Sequence, residues 1–146
     1  MSSAIDVAVI GVGLVGSAVL KQLATVPSLS ALKVVALQNS RKTLLAAPGQ
    51  HLALDHWQAQ LETSSSPALS LEQLVSELQV IQAKNRRHIA VVDNTSNDTV
   101  AGFYPSFLRA GFSVVTPNKK AFSGSVDLFS AMEEAKENDV RPLVYQ

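Results

Sequence analysis

The chain has 146 residues, of which 47% are hydrophobic, and its twelve basic residues balance twelve acidic ones. This length and composition predict one packed domain, and a neutral charge without a basic stripe argues against a nucleic acid or a membrane as partner. The absence of cysteine excludes a disulfide framework, a thiolate nucleophile and a zinc-thiolate site. We expect a small-molecule partner and, because no targeting segment is visible, a cytoplasmic location.

The first predicted element is a buried strand that ends in a glycine-rich turn. Residues Ile5 to Gly16 read IDVAVIGVGLVG, an apolar run followed at once by the pattern G-x-G-x-x-G. A helix begins near Leu14 and continues to Ala24, and a second apolar run at Leu32 to Leu37 completes a strand-helix-strand unit.

The three glycines of this turn have separate predicted tasks. Gly11 permits the tight turn, Gly13 lets the backbone approach a diphosphate, and Gly16 lets the helix pack closely on the strand. The unpaired backbone N–H groups of the first helical turn, at Leu14 and Val15, and the positive end of the helix dipole attract an anion. The motif therefore predicts dinucleotide binding; the alternative is a glycine-rich turn before an ordinary packed helix.

Further strands and helices alternate along the rest of the chain. Residues 39–70 show no clear periodicity and include a predicted exposed loop at Ser64 to Pro67. The later predicted elements are a helix at Leu71 to Ala83 capped by Ser70, a strand at Ile89 to Val92, a helix at Thr99 to Ala110 capped by Asn97 or Asp98, a strand at Phe112 to Val115, a helix at Val126 to Asn138 and a last apolar run at Leu143 to Tyr145. This alternation predicts an α/β fold with a doubly wound, mostly parallel sheet of the Rossmann type, which binds ligands beyond the carboxyl ends of its strands.

The residues after the second strand bear on the choice of coenzyme. A carboxylate at this position binds the ribose 2′-hydroxyl of NAD, but the chain has Gln38-Asn39-Ser40-Arg41-Lys42 instead. A guanidinium can hold a phosphate through two parallel hydrogen bonds, so Arg41 favours NADP, with NAD also possible. The alternative is that Arg41 and Lys42 form a solvated face at a helix start.

Two polar segments follow the next two strands. Asp93-Asn94-Thr95-Ser96 can reach a nicotinamide and its ribose, or it can simply turn the chain into a capped helix. Thr116-Pro117-Asn118-Lys119-Lys120 presents an ammonium that can polarise a carbonyl, although exposed lysine pairs are also common without any function. The spacing of His51, His56 and His88 is not that of metal ligands, so we predict no metal site.

These segments resemble the homoserine dehydrogenases, which interconvert aspartate 4-semialdehyde and homoserine with NAD(P) in the biosynthesis of threonine and methionine. The resemblance rests on the run from Val7 to Ser17, on VDNTS at 92–96 with AGFY at 101–104, and on TPNKKAF at 116–122. The first run occurs in many Rossmann proteins, whereas the other two, in this order and spacing, are more specific. Together the matching segments span nearly the whole chain.

The resemblance implies roles for individual residues. Gly11 to Gly16 would bind the pyrophosphate, Arg41 would face the adenosine ribose, and Asn94 and Thr95 would line the nicotinamide side. Lys119 stands at the family's lysine near coenzyme and substrate, which implies a catalytic or substrate-orienting role as well as contact with the coenzyme. Hydride reduction of an aldehyde leaves an oxyanion that a nearby cation or proton donor stabilises.

The resemblance also implies what this sequence does not contain. In the family the chain continues past the strand that resembles Pro142 to Tyr145 into a second domain, which carries the main substrate contacts and most of the homodimer contact. We therefore expect residues 1–146 to be the NAD(P)-binding domain of such an oxidoreductase, inactive on its own. The alternative functions are a stand-alone NAD(P)-sensing regulatory module without chemistry, and a fragment that binds no nucleotide.

Overall fold

The computed structural model describes residues 4–116 and 143–145, which form a seven-stranded sheet flanked by helices. The strands are β1 (Ile5–Ile10), β2 (Leu32–Gln38), β3 (Lys42–Leu45), β4 (Ser66–Pro67), β5 (His88–Asp93), β6 (Ser113–Thr116) and β7 (Leu143–Tyr145). The helices are α1 (Leu14–Thr25), α2 (Trp57–Glu62), α3 (Leu71–Asn85), α4 (Asp98–Gly102) and α5 (Tyr104–Arg109), with a short 3₁₀ turn at Pro27–Leu29.

The strand order β4-β3-β2-β1-β5-β6-β7 places β1 at the centre of the sheet. Neighbouring strands from β2 through β1, β5 and β6 to β7 are parallel, and only β3 and β4 are antiparallel additions at the edge. The predicted α/β class and mostly parallel sheet are confirmed. Ile10 pairs with Gln38 on one side and Asp93 on the other, so β1, β2 and β5 end at the same edge.

Both faces of the sheet are covered by helices. Alternation along β1 directs Val7 and Val9 to the face that packs on α1 and α2, through Leu20 and Leu61. The opposite face packs on α3, α4 and α5. Because the chain leaves β1 toward β2 and later returns to the other side of β1 as β5, the loops after β1 and β5 diverge and leave a crevice between them.

The weakly periodic stretch contains elements that the sequence pattern does not predict. It forms β3, α2 and β4, and the loop predicted at Ser64 to Pro67 is wrong for its second half, because Ser66 and Pro67 pair with Thr43 and Lys42. These elements have four, six and two residues, too few to show a period. Their conformation depends on pairing with the edge of β2, which is a tertiary contact.

The single helix predicted at Thr99 to Ala110 is two helices. Pro105 has no N–H to donate to the carbonyl of Ala101, so α4 ends and α5 begins around Phe103. The break turns the Tyr104 side chain into the core, where it is completely buried.

Some predictions concern residues that the structure does not describe. The helix predicted at Val126 to Asn138 and the segment from Pro117 to Lys120, with Lys119, lie outside them. Within the described part of the chain, no helix combines the length and the apolar character needed to cross a membrane.

Candidate nucleotide-binding site

The glycine-rich turn after β1 is held between the ends of β2 and β5, the strands on either side of β1. Gly11 has φ +89°, a conformation that favours glycine, and its N–H donates to the Gln38 carbonyl at 2.9 Å. The Asn94 N–H donates to the Ile10 carbonyl at 2.9 Å. A Cβ on Gly11 would lie 2.9 Å from Thr95 Cγ2, so the loop after β5 packs directly on the turn.

Gly16 and Gly13 differ in what surrounds them. A Cβ on Gly16 would lie 2.1 Å from the Gly11 carbonyl oxygen, so α1 approaches the turn as closely as only glycine permits. A Cβ on Gly13 would have no atom within 4 Å beyond its chain neighbours. Gly13 is the N-cap of α1 and supplies no capping side chain, so the first N–H groups of the helix have no acceptor within the helix or from its cap. The geometry fits a diphosphate that approaches the backbone at Gly13.

A cleft of about 470 Å³ lies beside the turn, at the carboxyl ends of β1, β2 and β5. Its walls include Gly11, Ser40, Leu69, Thr95 and Val100. The volume falls in the range of small-molecule sites, and the mixture of apolar and polar wall residues suits a base and its ribose.

The side chain of Gln38, at the end of β2, is hydrogen bonded to the wall of this cleft. It is buried, its Oε1 accepts from Thr43 Oγ1 at 2.6 Å, and its Nε2 donates to the Leu69 carbonyl at 3.0 Å. Gln38 therefore fixes the segment around Leu69 and has little capacity left for a ribose. Asn39 and Ser40, which follow Gln38, also line the cleft at this end.

Arg41 and Lys42 follow in a turn and not at a helix start. Asn39 Oδ1 accepts from the N–H groups of Arg41 and Lys42 at 2.8 and 2.6 Å, which redirects the chain into β3. The Lys42 ammonium donates to the Ser64 carbonyl at 2.9 Å. The Arg41 side chain is exposed and makes no hydrogen bond or ion pair with any residue that the structure describes.

The loop after β5 supplies the other wall of the crevice. Thr95 donates to Asp93 Oδ1 through its N–H at 2.8 Å and its hydroxyl at 2.6 Å. The Asn94 Nδ2 atom is buried and has no hydrogen-bond partner among the described residues. It lies 3.5 Å from the position of a Gly16 Cβ, beside the open space at the start of α1. An unsatisfied buried donor here fits an absent ligand with acceptor atoms.

The structure thus brings most of the predicted site residues together. Gly11 and Gly16 lie close to Asn94 or Thr95 at one edge of the sheet, and Gly13, with open space around it, precedes exposed Leu14 and Val15 in the first turn of α1. Arg41 follows the end of β2, and Lys119 lies outside the described residues.

Tyr104 and Thr116 stand in segments that carry the resemblance, but the sequence gives neither a role of its own; the Tyr104 hydroxyl donates to the Asp93 carboxylate and the Thr116 hydroxyl to the Asp93 carbonyl. The sequence indicates such a contact only by placing a polar residue at the end of each strand, Asp93 in β5 and Thr116 in β6. Among the described residues, no group of three or more histidine, aspartate and glutamate side chains has the geometry of a metal site.

Comparisons with known proteins agree with this geometry. Residues 11–145 match the family model described as homoserine dehydrogenase, NAD binding domain. The homoserine dehydrogenase of Saccharomyces cerevisiae is 36% identical over 129 residues, which cover 88% of this chain and 35% of that protein. The homoserine dehydrogenase of Emericella nidulans is 40% identical over 146 residues, which cover 93% and 38%.

Solved structures share the fold. A hyperthermophilic archaeal homoserine dehydrogenase in complex with NADPH superposes with a TM-score of 0.66 at 21% identity, over 91% of this chain and 42% of that one. The chain spans little more than a third of the length of the relatives named above. The match to the family model over nearly its whole length shows that this chain belongs to the homoserine dehydrogenase NAD-binding domain family.

Proposed function

We propose that this chain is the coenzyme-binding domain of a homoserine dehydrogenase and that it binds NADP(H) in preference to NAD(H). The observation that carries the proposal is the open space at Gly13, where the first N–H groups of α1 are available to a diphosphate. The cleft on the β2 side and the unsatisfied amide of Asn94 on the β5 side give such a dinucleotide a place for each of its halves.

The coenzyme would lie across the carboxyl ends of three strands. Adenosine occupies the cleft near Asn39 and Ser40, the diphosphate lies at Gly13, and the nicotinamide half extends past Asn94 toward the end of β6. We assign the 2′-phosphate to Arg41, whose side chain is exposed, because none of residues 38–42 is a carboxylate; Glu72 is the acidic residue that lines the cleft in the described part of the chain.

The reaction follows from the family. NADPH, when bound, supplies a hydride to the aldehyde carbon of aspartate 4-semialdehyde, and homoserine oxidation is the reverse, within threonine and methionine biosynthesis. We assign to Lys119 the task of orienting the substrate or stabilising its oxyanion. In the whole protein we propose a homodimer that acts in the cytoplasm. What residues 4–116 contribute is the binding and orientation of the coenzyme.

Titration calorimetry of the chain with NADPH and NADH, followed by homoserine, tests the proposal. We expect tighter binding of NADPH; binding of neither coenzyme would refute the proposed function.

The Arg41→Ala variant tests the basis of the preference. Loss of a charge-assisted contact to the 2′-phosphate should weaken NADPH binding by about tenfold to a hundredfold and leave NADH binding nearly unchanged. Lys42→Ala is the matched control, because its ammonium is engaged with Ser64, and it should not discriminate between the coenzymes. Equal losses for both coenzymes in Arg41→Ala would remove Arg41 from this role.

A further inference from the structure

A hydrogen-bonded cluster of Asp93, Thr95, Tyr104 and Thr116, here called the Asp93 cluster, lies below the loop that follows β5. Asp93, Tyr104 and Thr116 are completely buried. Asp93 Oδ1 accepts the two hydrogen bonds from Thr95, and Oδ2 accepts one from the Tyr104 hydroxyl. Thr116 Oγ1 lies 3.0 Å from the Tyr104 hydroxyl oxygen and donates to the Asp93 carbonyl at 2.8 Å.

The sheet itself does not require a carboxylate at this position. Ile10 ends β1 in register with Asp93, and an apolar side chain is sufficient there. Burial of a carboxylate is unfavourable unless donors satisfy it, and within the described residues no basic side chain pairs with Asp93. Its three donors are therefore held firmly, and removal of one leaves a buried acceptor unsatisfied.

The cluster connects separate parts of the candidate site. Thr95 packs on the Gly11 turn, and Tyr104 is the first residue of α5. Thr116 is the last residue of β6, immediately before the segment that contains Lys119. Asp93 thus determines where the loop with Asn94 and Thr95 lies and where the chain leaves β6.

We propose that Tyr104, acting through Asp93, is a positioning residue for the nicotinamide half of the coenzyme. The inference rests on the proposed function, which puts the adenosine half at the end of β2 and the diphosphate at Gly13. The nicotinamide half then extends over the ends of β5 and β6, the strands whose last residues are Asp93 and Thr116. The adenosine cleft shares Thr95 with the cluster, but Tyr104 and Thr116 are not among its described wall residues, and the hydrogen bonds of Gln38 with Thr43 and Leu69 hold its other wall.

The Tyr104→Phe variant tests whether the cluster affects binding of the nicotinamide half of the coenzyme without affecting binding of the adenosine half. It removes one hydroxyl and keeps the aromatic ring in the core. Calorimetry with NADPH and with adenosine 2′,5′-bisphosphate, which lacks the nicotinamide half, measures each contribution. We expect NADPH binding to weaken by about tenfold, since a hydrogen bond to a buried carboxylate is lost, and the bisphosphate to keep its affinity within about twofold.

Two further variants keep the test decisive. Thr116→Val removes a second hydroxyl of the cluster, the one that donates to the Asp93 carbonyl, with little change of shape, and should show the same split between the ligands. Ile81→Val loosens the same core without touching the cluster and should leave both affinities unchanged. Equal weakening of both ligands by Tyr104→Phe, or weakening of neither, would overturn the inference while wild-type binding upholds the proposed function. If the wild-type chain binds neither ligand, the proposed function and the inference about Tyr104 are both refuted.

Discussion

Gly13 and Gly16 stand three residues apart and are under different constraints. The space at Gly13 is open in the protein alone, whereas a side chain at Gly16 meets the Gly11 carbonyl oxygen. A sequence motif lists them as equivalent glycines. The structure separates a residue that serves packing from one whose surroundings stay free for a ligand.

Alanine at Gly16 should therefore lower mainly the stability of the domain, whereas alanine at Gly13 should lower mainly its affinity for the coenzyme. Gly16→Ala forces a methyl against backbone that no rotamer change can relieve, and should lower the free energy of unfolding by about 3 kcal/mol. Gly13→Ala should cost about 1 kcal/mol or less, since alanine is a poorer N-cap residue than glycine. Its NADPH affinity should nevertheless fall by about tenfold or more, because the methyl group occupies the approach to the N–H groups.

Urea denaturation and calorimetry on the two variants measure both quantities. Normal NADPH affinity in Gly13→Ala would contradict the assignment of the diphosphate to this turn.

Residue roles could be predicted from sequence only where they depend on neighbours in the chain. The turn at Gly11 and the close packing at Gly16 are such cases, and the geometry confirms both. The choice of Arg41 over Lys42 rests on the guanidinium alone, and the engagement of the Lys42 ammonium by Ser64, 22 residues away, could not be predicted. Tyr104 was missed for the same reason, since its partners lie on two strands.

At the scale of elements, a segment could be predicted when it carried its own signal. β1, β2 and β5 are apolar runs, and α3 has both an amphipathic period and a capping box formed by Ser70 and Gln73. The antiparallel β3 and β4 carry no such signal, because contact with the sheet edge stabilises them. The division between α4 and α5 was missed although Pro105 marks it.

The cap of α3 provides a test at this scale. Ser70 Oγ accepts from the Gln73 N–H at 3.1 Å, and the Gln73 side chain accepts from the Ser70 N–H at 3.0 Å. Ser70→Ala should lower the free energy of unfolding by about 1 kcal/mol, because it leaves a helix-end donor without its partner.

Ser76→Ala is the matched control for this prediction. Ser76 lies in the same helix and is exposed, and its hydroxyl donates to the Glu72 carbonyl one turn earlier. Alanine there should be neutral or slightly stabilising, since it is the better helix former. Chemical denaturation of both variants gives the comparison, and an equal loss in each would mean that the cap contributes nothing specific.

At the scale of the whole molecule, the candidate site exists only when the sheet is complete. The Gly11 turn is hydrogen bonded to the ends of β2 and β5, and these strands are separated by the whole of residues 39–87. The topology confirms the doubly wound arrangement that the alternation of strands and helices predicts. A ligand bound across three strand ends therefore binds the folded chain and has no comparable site in the unfolded one.

Coenzyme binding should consequently raise the thermal stability of the entire domain. At a concentration about 100 times the dissociation constant, a ligand specific for the native state adds about 2.7 kcal/mol. For a domain of this size that corresponds to an increase in Tm of roughly 5–10 °C. Differential scanning calorimetry with NADPH measures the shift, and Gly13→Ala at the same coenzyme concentration should show a smaller one. An unchanged Tm in the wild-type chain would favour a fragment that binds no nucleotide, because mass action requires a shift wherever the native state binds.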